Sequence, residues 1–182
     1  DLPLDDWDRV FDVNLRGAFI CAQEAGKRMM RQNSGVIINI SSIHDKVPRK
    51  GLVHYCAAKA GLNMMTKCLA LELAENHIRV LSVSPGAIET DMNREEINAF
   101  GREKFNRWIP LGRVGVVDDI AWTCAFLASD KAAYIRQPKF ILTEVIRRVR
   151  SLMIRGKPNQ FKWNRHSSRR TGMMERGMIL FS

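Results

Sequence analysis

Two short runs of branched apolar residues, 35–41 (GVIINIS) and 78–84 (IRVLSVS), constrain this chain more than any other feature. Apolar residues follow one another there with almost no polar alternation. A strand reads so when both of its faces are covered, as in a parallel sheet. Between the runs lie a polar loop over 43–50, containing Pro48, and a helical pattern over 53–75 with Ala57, Ala60, Leu62, Met65, Leu69 and Leu73. Strand, loop, long helix, strand is a βαβ unit, and the α/β class follows. An earlier helical pattern starts after Asp5-Asp6 and reaches about Met30 through Trp7, Val10, Phe11, Leu15, Phe19 and Ala22. Its acidic start and basic end suit the helix dipole. Residues 91–107 read as a polar, helical lid over whatever lies at the strand ends. Residues 109–115 are a connector, and 117–129 form another helix.

Chemistry concentrates between Ser42 and Lys59. Tyr55 and Lys59 stand four residues apart in the helical pattern, so they share a helix face. A free tyrosine titrates at about 10 and is a poor base at neutral pH. A neighbouring ammonium favours the phenolate, so the spacing predicts a lowered Tyr55 pKa and a proton acceptor near working pH. Ser42 ends the first strand, where its hydroxyl can donate to a substrate oxygen and hold it beside the phenol. Pro85-Gly86 follows the second strand directly. Ligands in open α/β sheets sit beyond the carboxyl ends of strands. A glycine there lets backbone approach a ligand closely.

Composition narrows the setting. The 182 residues suit one domain. Four cysteines, none in a CxxC pair, and four scattered histidines give no metal or disulfide pattern. A reducing, cytoplasmic location is expected. No apolar run is long enough to span a bilayer, and the acidic DLPLDDWD does not read as a signal peptide. The net charge of +10 is uneven. Residues 1–135 hold 17 basic and 17 acidic side chains, and residues 136–182 hold 12 and 2. The basic character therefore belongs to the tail, and pI alone assigns no nucleic-acid function to the rest.

With these pieces in order, residues 1–135 resemble the carboxyl-terminal two-thirds of a short-chain dehydrogenase/reductase. The matching motifs are VNLRGAF with Asn14, INIS before Ser42, YCAAK with Tyr55 and Lys59, PGAIET, and PLGRVG before the last helix. ISSIH together with VHY is most similar to bacterial glucose 1-dehydrogenases. The resemblance implies a partial doubly wound parallel, Rossmann-like sheet with flanking helices. It also implies NAD or NADP as cofactor, a sugar or other secondary alcohol as substrate, and a homotetramer paired through helices 5–30 and 53–75. Tyr55 would exchange a proton with the substrate oxygen. Lys59 would tune Tyr55 and bind the nicotinamide ribose, and Ser42 would orient the substrate. Asn14 would hold a water leading from Lys59 to solvent. Pro85, Gly86, Ile88 and Thr90 would line the nicotinamide end, and hydride would pass between substrate carbon and nicotinamide. A 3-oxoacyl or other carbonyl reductase of the same family is the second reading.

The chain departs from the family at both ends. The glycine-rich first βαβ unit is not among these residues, so a fragment with little turnover is expected. Ala58 stands where the family usually has serine, with little effect expected. After Tyr134-Ile135 the texture changes to RQPKFILTEVIRRVR. Residues 140–153 alternate like a helix, and 157–176 read as unstructured, with Phe161 and Trp163 among basic residues. Codons for 136–145 can be chosen so that a two-base shift reads Ala-Thr-Lys-Val-Tyr-Ser-His-Gly-Gly. The segment therefore reads as out-of-frame translation. A rival from another class makes the chain a non-catalytic interaction protein whose basic tail binds nucleic acid. That rival explains the tail but not Ser42, Tyr55 and Lys59.

Overall fold

The runs of branched residues become the two central strands of one parallel sheet. The computed structural model describes residues 1–91, 93–136, 139–142 and 178–181. Strand β1 (Gly35–Ile40) pairs in parallel with β2 (Ile78–Pro85), from Gly35 opposite Ile78 to Ile40 opposite Val83. Two further strands come from the expected tail. β3 (Lys139–Leu142) pairs in parallel with β2, and β4 (Met178–Phe181) pairs in parallel with β1. The sheet order is β3-β2-β1-β4. The expected helical alternation from Phe140 is thus corrected at its start, where four residues extend along an open strand edge. Phe140 and Leu142 pack on the core there. Residues 143–177, which include Phe161 and Trp163, lie outside the described residues.

Helices cover both faces. On one face Ile37, Ile78 and Val80 meet Ala22, Ala25 and Met29 of α2 (Gly17–Gln32) and Leu73 beyond α3 (Val53–Glu72). On the other, Ile38, Leu81 and Val83 meet Cys124 and Leu127 of α6 (Val117–Ala128). Ile37, Ile38, Leu81 and Val83 are fully buried. Each such side chain contributes roughly 1.5–3 kcal/mol by leaving water.

The first helical pattern is not one continuous α-helix. α1 (Leu4–Phe11) passes into a π turn (Asp12–Arg16) and then into α2. Asn14 lies in that turn, and its amide donates to the Val10 carbonyl at 2.9 Å. The turn packs against α3 where Gly61 faces Leu15. A Cβ on Gly61 would come within 3.0 Å of a Leu15 methyl, so the missing side chain sets this close approach. α2 ends on Asn33 in the left-handed conformation, φ 50°, which asparagine tolerates. α3 stops three residues before the expected boundary and tightens into a 3₁₀ turn (Ala74–Asn76). The expected lid is two short helices, α4 (Arg94–Phe100) and α5 (Arg102–Asn106), broken at Gly101, φ 92°. No helix among the described residues is long and apolar enough to cross a membrane.

Candidate functional site

Along the face under α3 the sheet changes from apolar to polar toward its carboxyl end. Ile37 and Val80 are neighbours in register, and next come Asn39 and Ser82, both 0% exposed. Asn39 donates to Thr66 Oγ1 at 2.8 Å, and Thr66 donates to the Leu62 carbonyl at 2.8 Å. Thr66, Asn63 and Lys59 follow the helical spacing that keeps one α3 face on this surface, and all three are buried. The carboxyl end of the sheet is where the candidate side chains gather.

Ser42 opens a 3₁₀ turn (Ile43–Asp45), and its Oγ accepts from the His44 N–H at 3.2 Å. With that lone pair occupied, the hydroxyl hydrogen is available to a partner. The Ser42 side chain lowers the Tyr55 pKa, and His44 of the same turn meets the Tyr55 ring edge-on at 6.4 Å. Lys59 is 5% exposed and donates Nζ to the Ile40 carbonyl at 2.9 Å, with Nζ 5.7 Å from the Tyr55 ring centroid. Ser42, Tyr55 and Lys59 therefore meet in one place.

The expected electrostatics do not hold in this form. Burial pushes the Tyr55 phenol above its ordinary value, and the Ser42 hydrogen bond pulls it down by less. Burial also lowers Lys59, to about 8. The physical reason is that desolvation disfavours the charged form of each group. The Tyr55 phenol therefore keeps its proton at neutral pH.

Three residues around this cluster escaped the sequence reading. His44 donates Nδ1–H to the Val47 carbonyl at 2.8 Å, since a carbonyl can only accept. Burial lowers its pKa, so the ring is neutral, and its edge faces Tyr55 at 6.4 Å. Asp45 Oδ2 accepts from Ser41 Oγ at 3.3 Å and from Ser84 Oγ at 3.1 Å. The S-x-x-D spacing of Ser42 and Asp45 was a usable signal for a capped turn. Asn93 donates to the Ile88 carbonyl at 2.7 Å and accepts from the Thr90 N–H at 2.8 Å.

The second strand's exit is half-buried throughout 85–90. Pro85 pairs with Leu142, and the Gly86 N–H donates to the Leu142 carbonyl at 3.0 Å. Ile88 bridges to Gly115, which joins this turn to the connector before α6. Asn14 lies on the π turn that packs against α3, with its amide on the Val10 carbonyl. Among the described residues no cluster of three His, Cys, Asp or Glu side chains could hold a metal.

The donor set fits one end of a nicotinamide nucleotide. Lys59 offers three N–H donors and spends one on Ile40, which leaves capacity for a ribose diol. The half-buried 85–90 turn follows β2 at the same carboxyl end of the sheet.

A family model described as enoyl-(acyl carrier protein) reductase matches residues 1–140. The 3-oxoacyl-[acyl-carrier-protein] reductase of Rickettsia felis is 47% identical over 131 residues, 72% of this chain and 54% of that protein. The 3beta-hydroxysteroid dehydrogenase 1 of Eggerthella lenta is 43% identical over 134 residues, 72% of this chain and 51% of that protein. The crystal structure of a gluconate 5-dehydrogenase from Burkholderia cenocepacia, in complex with NADP and tartrate, superposes with a TM-score of 0.74. It is 30% identical and covers 78% of this chain and 56% of that one. The chain spans about half the length of the curated relatives it matches.

Proposed function

The chain belongs to the short-chain dehydrogenase/reductase family, and from that premise we propose that it carries the proton-transfer centre of an NAD(P)-dependent oxidoreductase. The substrate is a secondary alcohol or its ketone, with a sugar or sugar acid of the glucose 1-dehydrogenase kind as the favoured class. The observation that carries the proposal is Lys59 Nζ 5.7 Å from the Tyr55 ring centroid, with the Ser42 turn against the same ring through His44 at 6.4 Å. A bound nicotinamide supplies the hydride exchange. Tyr55 gives its proton to a ketone oxygen or takes one from an alcohol. Ser42 holds that oxygen against the phenol, and Lys59 stabilises the phenolate when the proton has left. Lys59, with Pro85, Gly86, Ile88 and Thr90, holds the nicotinamide end, and Asn14 anchors a water on the path from Lys59 to solvent. Asn93 stiffens the 85–90 turn.

A 3-oxoacyl reductase is the second reading, favoured by the Rickettsia relative. A hybrid separates them: residues 1–135 joined behind the amino-terminal half of the Burkholderia enzyme. Oxidation of sugar acids or sugars with NAD⁺ or NADP⁺ supports the first reading. Turnover of acyl thioesters alone supports the second, and no turnover with either removes both.

Self-association is proposed for the α2–α3 surface. Phe11, Leu15, Phe19 and Met65 line a groove of about 510 Å³ there, with Phe19 44% and Met64 57% exposed. A second copy of the same two helices would cover it, in line with a tetrameric parent. Sedimentation of the Phe19→Glu variant as a smaller species than the parent checks this.

A further inference from the structure

We infer that Ser84 and Asp45 are positioning residues for Ser42: one carboxylate, shared between the ends of β1 and β2, holds the turn that presents the Ser42 hydroxyl to Tyr55. Ser41 follows β1 and donates its N–H to the Val83 carbonyl at 2.7 Å, so the strand pairing continues to this point. The hydroxyls of Ser41 and Ser84 are buried, with their residues 4% and 0% exposed. Both donate to the same oxygen of Asp45, at 3.3 and 3.1 Å. Ser41 also lies 3.3 Å from the Lys59 carbonyl, which adds α3 to the junction. Hydrogen bonds to an ionised acceptor are the stronger kind.

The carboxylate sits at the far end of the Ser42 turn. Asp45 N–H donates to the Ser42 carbonyl at 3.1 Å, and His44 N–H fixes Ser42 Oγ at 3.2 Å. Beyond Asp45 the chain runs out to exposed Lys46, Pro48 and Lys50. Asp45 is therefore where a surface loop is pinned to the sheet, one turn from the hydroxyl that must meet the phenol. Ser84 also precedes Pro85-Gly86, so the same clasp ties the Ser42 turn to the second strand's exit.

The inference rests on the reading of Tyr55 as the proton-transferring group, but its test needs neither nucleotide nor turnover. Failure of the one is therefore distinct from failure of the other. The chain has two tyrosines, and Tyr134 is 98% exposed. In the 182-residue chain carrying Tyr134→Phe, phenolate absorbance reports Tyr55 alone. The groups acting on it are Ser42, His44 and Asp45 of the turn, Arg49 of the loop, and Cys56 and Lys59 of its own helix. Ser42→Ala removes the side chain that lowers the Tyr55 midpoint, so the midpoint rises. Ser84→Ala removes none of those side chains, but it frees the turn that Asp45 anchors and so raises the midpoint as well. In the Ser42→Ala background Ser84→Ala adds nothing, which is the coupling expected of a residue acting through another. An unmoved midpoint in Ser84→Ala, or an equal rise in both backgrounds, overturns the inference. Should Ser84→Ala fail to unfold cooperatively in urea, Ser41→Ala is read in the same cycle against the same two outcomes.

Discussion

The two faces of the central sheet are built from the same two strands and do different work. Toward α6 the face is apolar along its length, with Ile38, Leu81 and Val83 all fully buried. Toward α2 and α3 it begins the same way, with Ile37, Ile78 and Val80. It then passes through Asn39 and Ser82 to Ser41 and Ser84, under Lys59. Alternation of side chains along a strand makes this separation possible, because adjacent residues belong to opposite faces. One face supplies cohesion alone. The other gives up apolar packing near its carboxyl end, and Asn39 Oδ1, Asn63 Oδ1 and Ser82 Oγ have no hydrogen-bond partner among the described residues. Such groups persist where a site requires polarity more than stability.

Four experiments break or sharpen that contrast. Tyr55→Phe in the hybrid enzyme should lower kcat by about 10²–10⁴-fold, the usual worth of a positioned acid or base. Its urea midpoint should stay near the parent's, and a large loss of stability with activity retained would contradict the division. Leu81→Ala should do the reverse. Deleting a fully buried leucine costs about 2–5 kcal/mol in urea titration. The Tyr55 absorbance midpoint should not move.

The third test uses pH. Lys59 titrates at about 8 in the folded chain against 10.5 when exposed. Between those values the unfolded chain binds more protons, so stability rises with pH across that window. Tyr55 acts oppositely, because its raised pKa favours the folded chain below about 10 and loses that advantage as pH climbs through the folded value. The clear window is pH 8 to 10, where Lys59→Met should flatten the rise in urea midpoint. The smallest effect belongs to Ser82→Ala. Its unpartnered hydroxyl should make the change neutral or stabilising by up to ~1 kcal/mol. A loss comparable to Leu81→Ala would show that both faces are equally cohesive.

The sequence made some of this readable and concealed the rest for physical reasons. Ile37, Ile38, Leu81 and Val83 announced buried strands because burial on both faces leaves no polar alternation. The spacing of Tyr55 and Lys59 placed both on α3, and their meeting with Ser42 followed from a βαβ crossover. The sign of the Tyr55 shift was not readable. It depends on how much water reaches the phenol, which spacing does not encode. Asp45, Ser41 and Ser84 come together only through tertiary structure, although Ser42 and Asp45 carried a local capping signal. Lys139–Leu142 and Met178–Phe181 were hidden because four apolar-rich residues within a basic stretch fit several conformations equally.

The π turn at Asp12–Arg16 has a consequence for how this chain tolerates length changes. Such a turn is an α-helix carrying one surplus residue. Excising Val13 would let α1 and α2 run on as one uninterrupted spiral. Everything ahead of the excision would keep its facing, because the wide turn holds its surplus residue without rotating what flanks it. Leu4 and Trp7 would hold their present azimuths, and Asn14 would lose the widened loop in which its amide reaches back to Val10. A one-residue deletion here is therefore absorbed on the spot, while the same deletion in an unbroken helix is a rotation of about 100°.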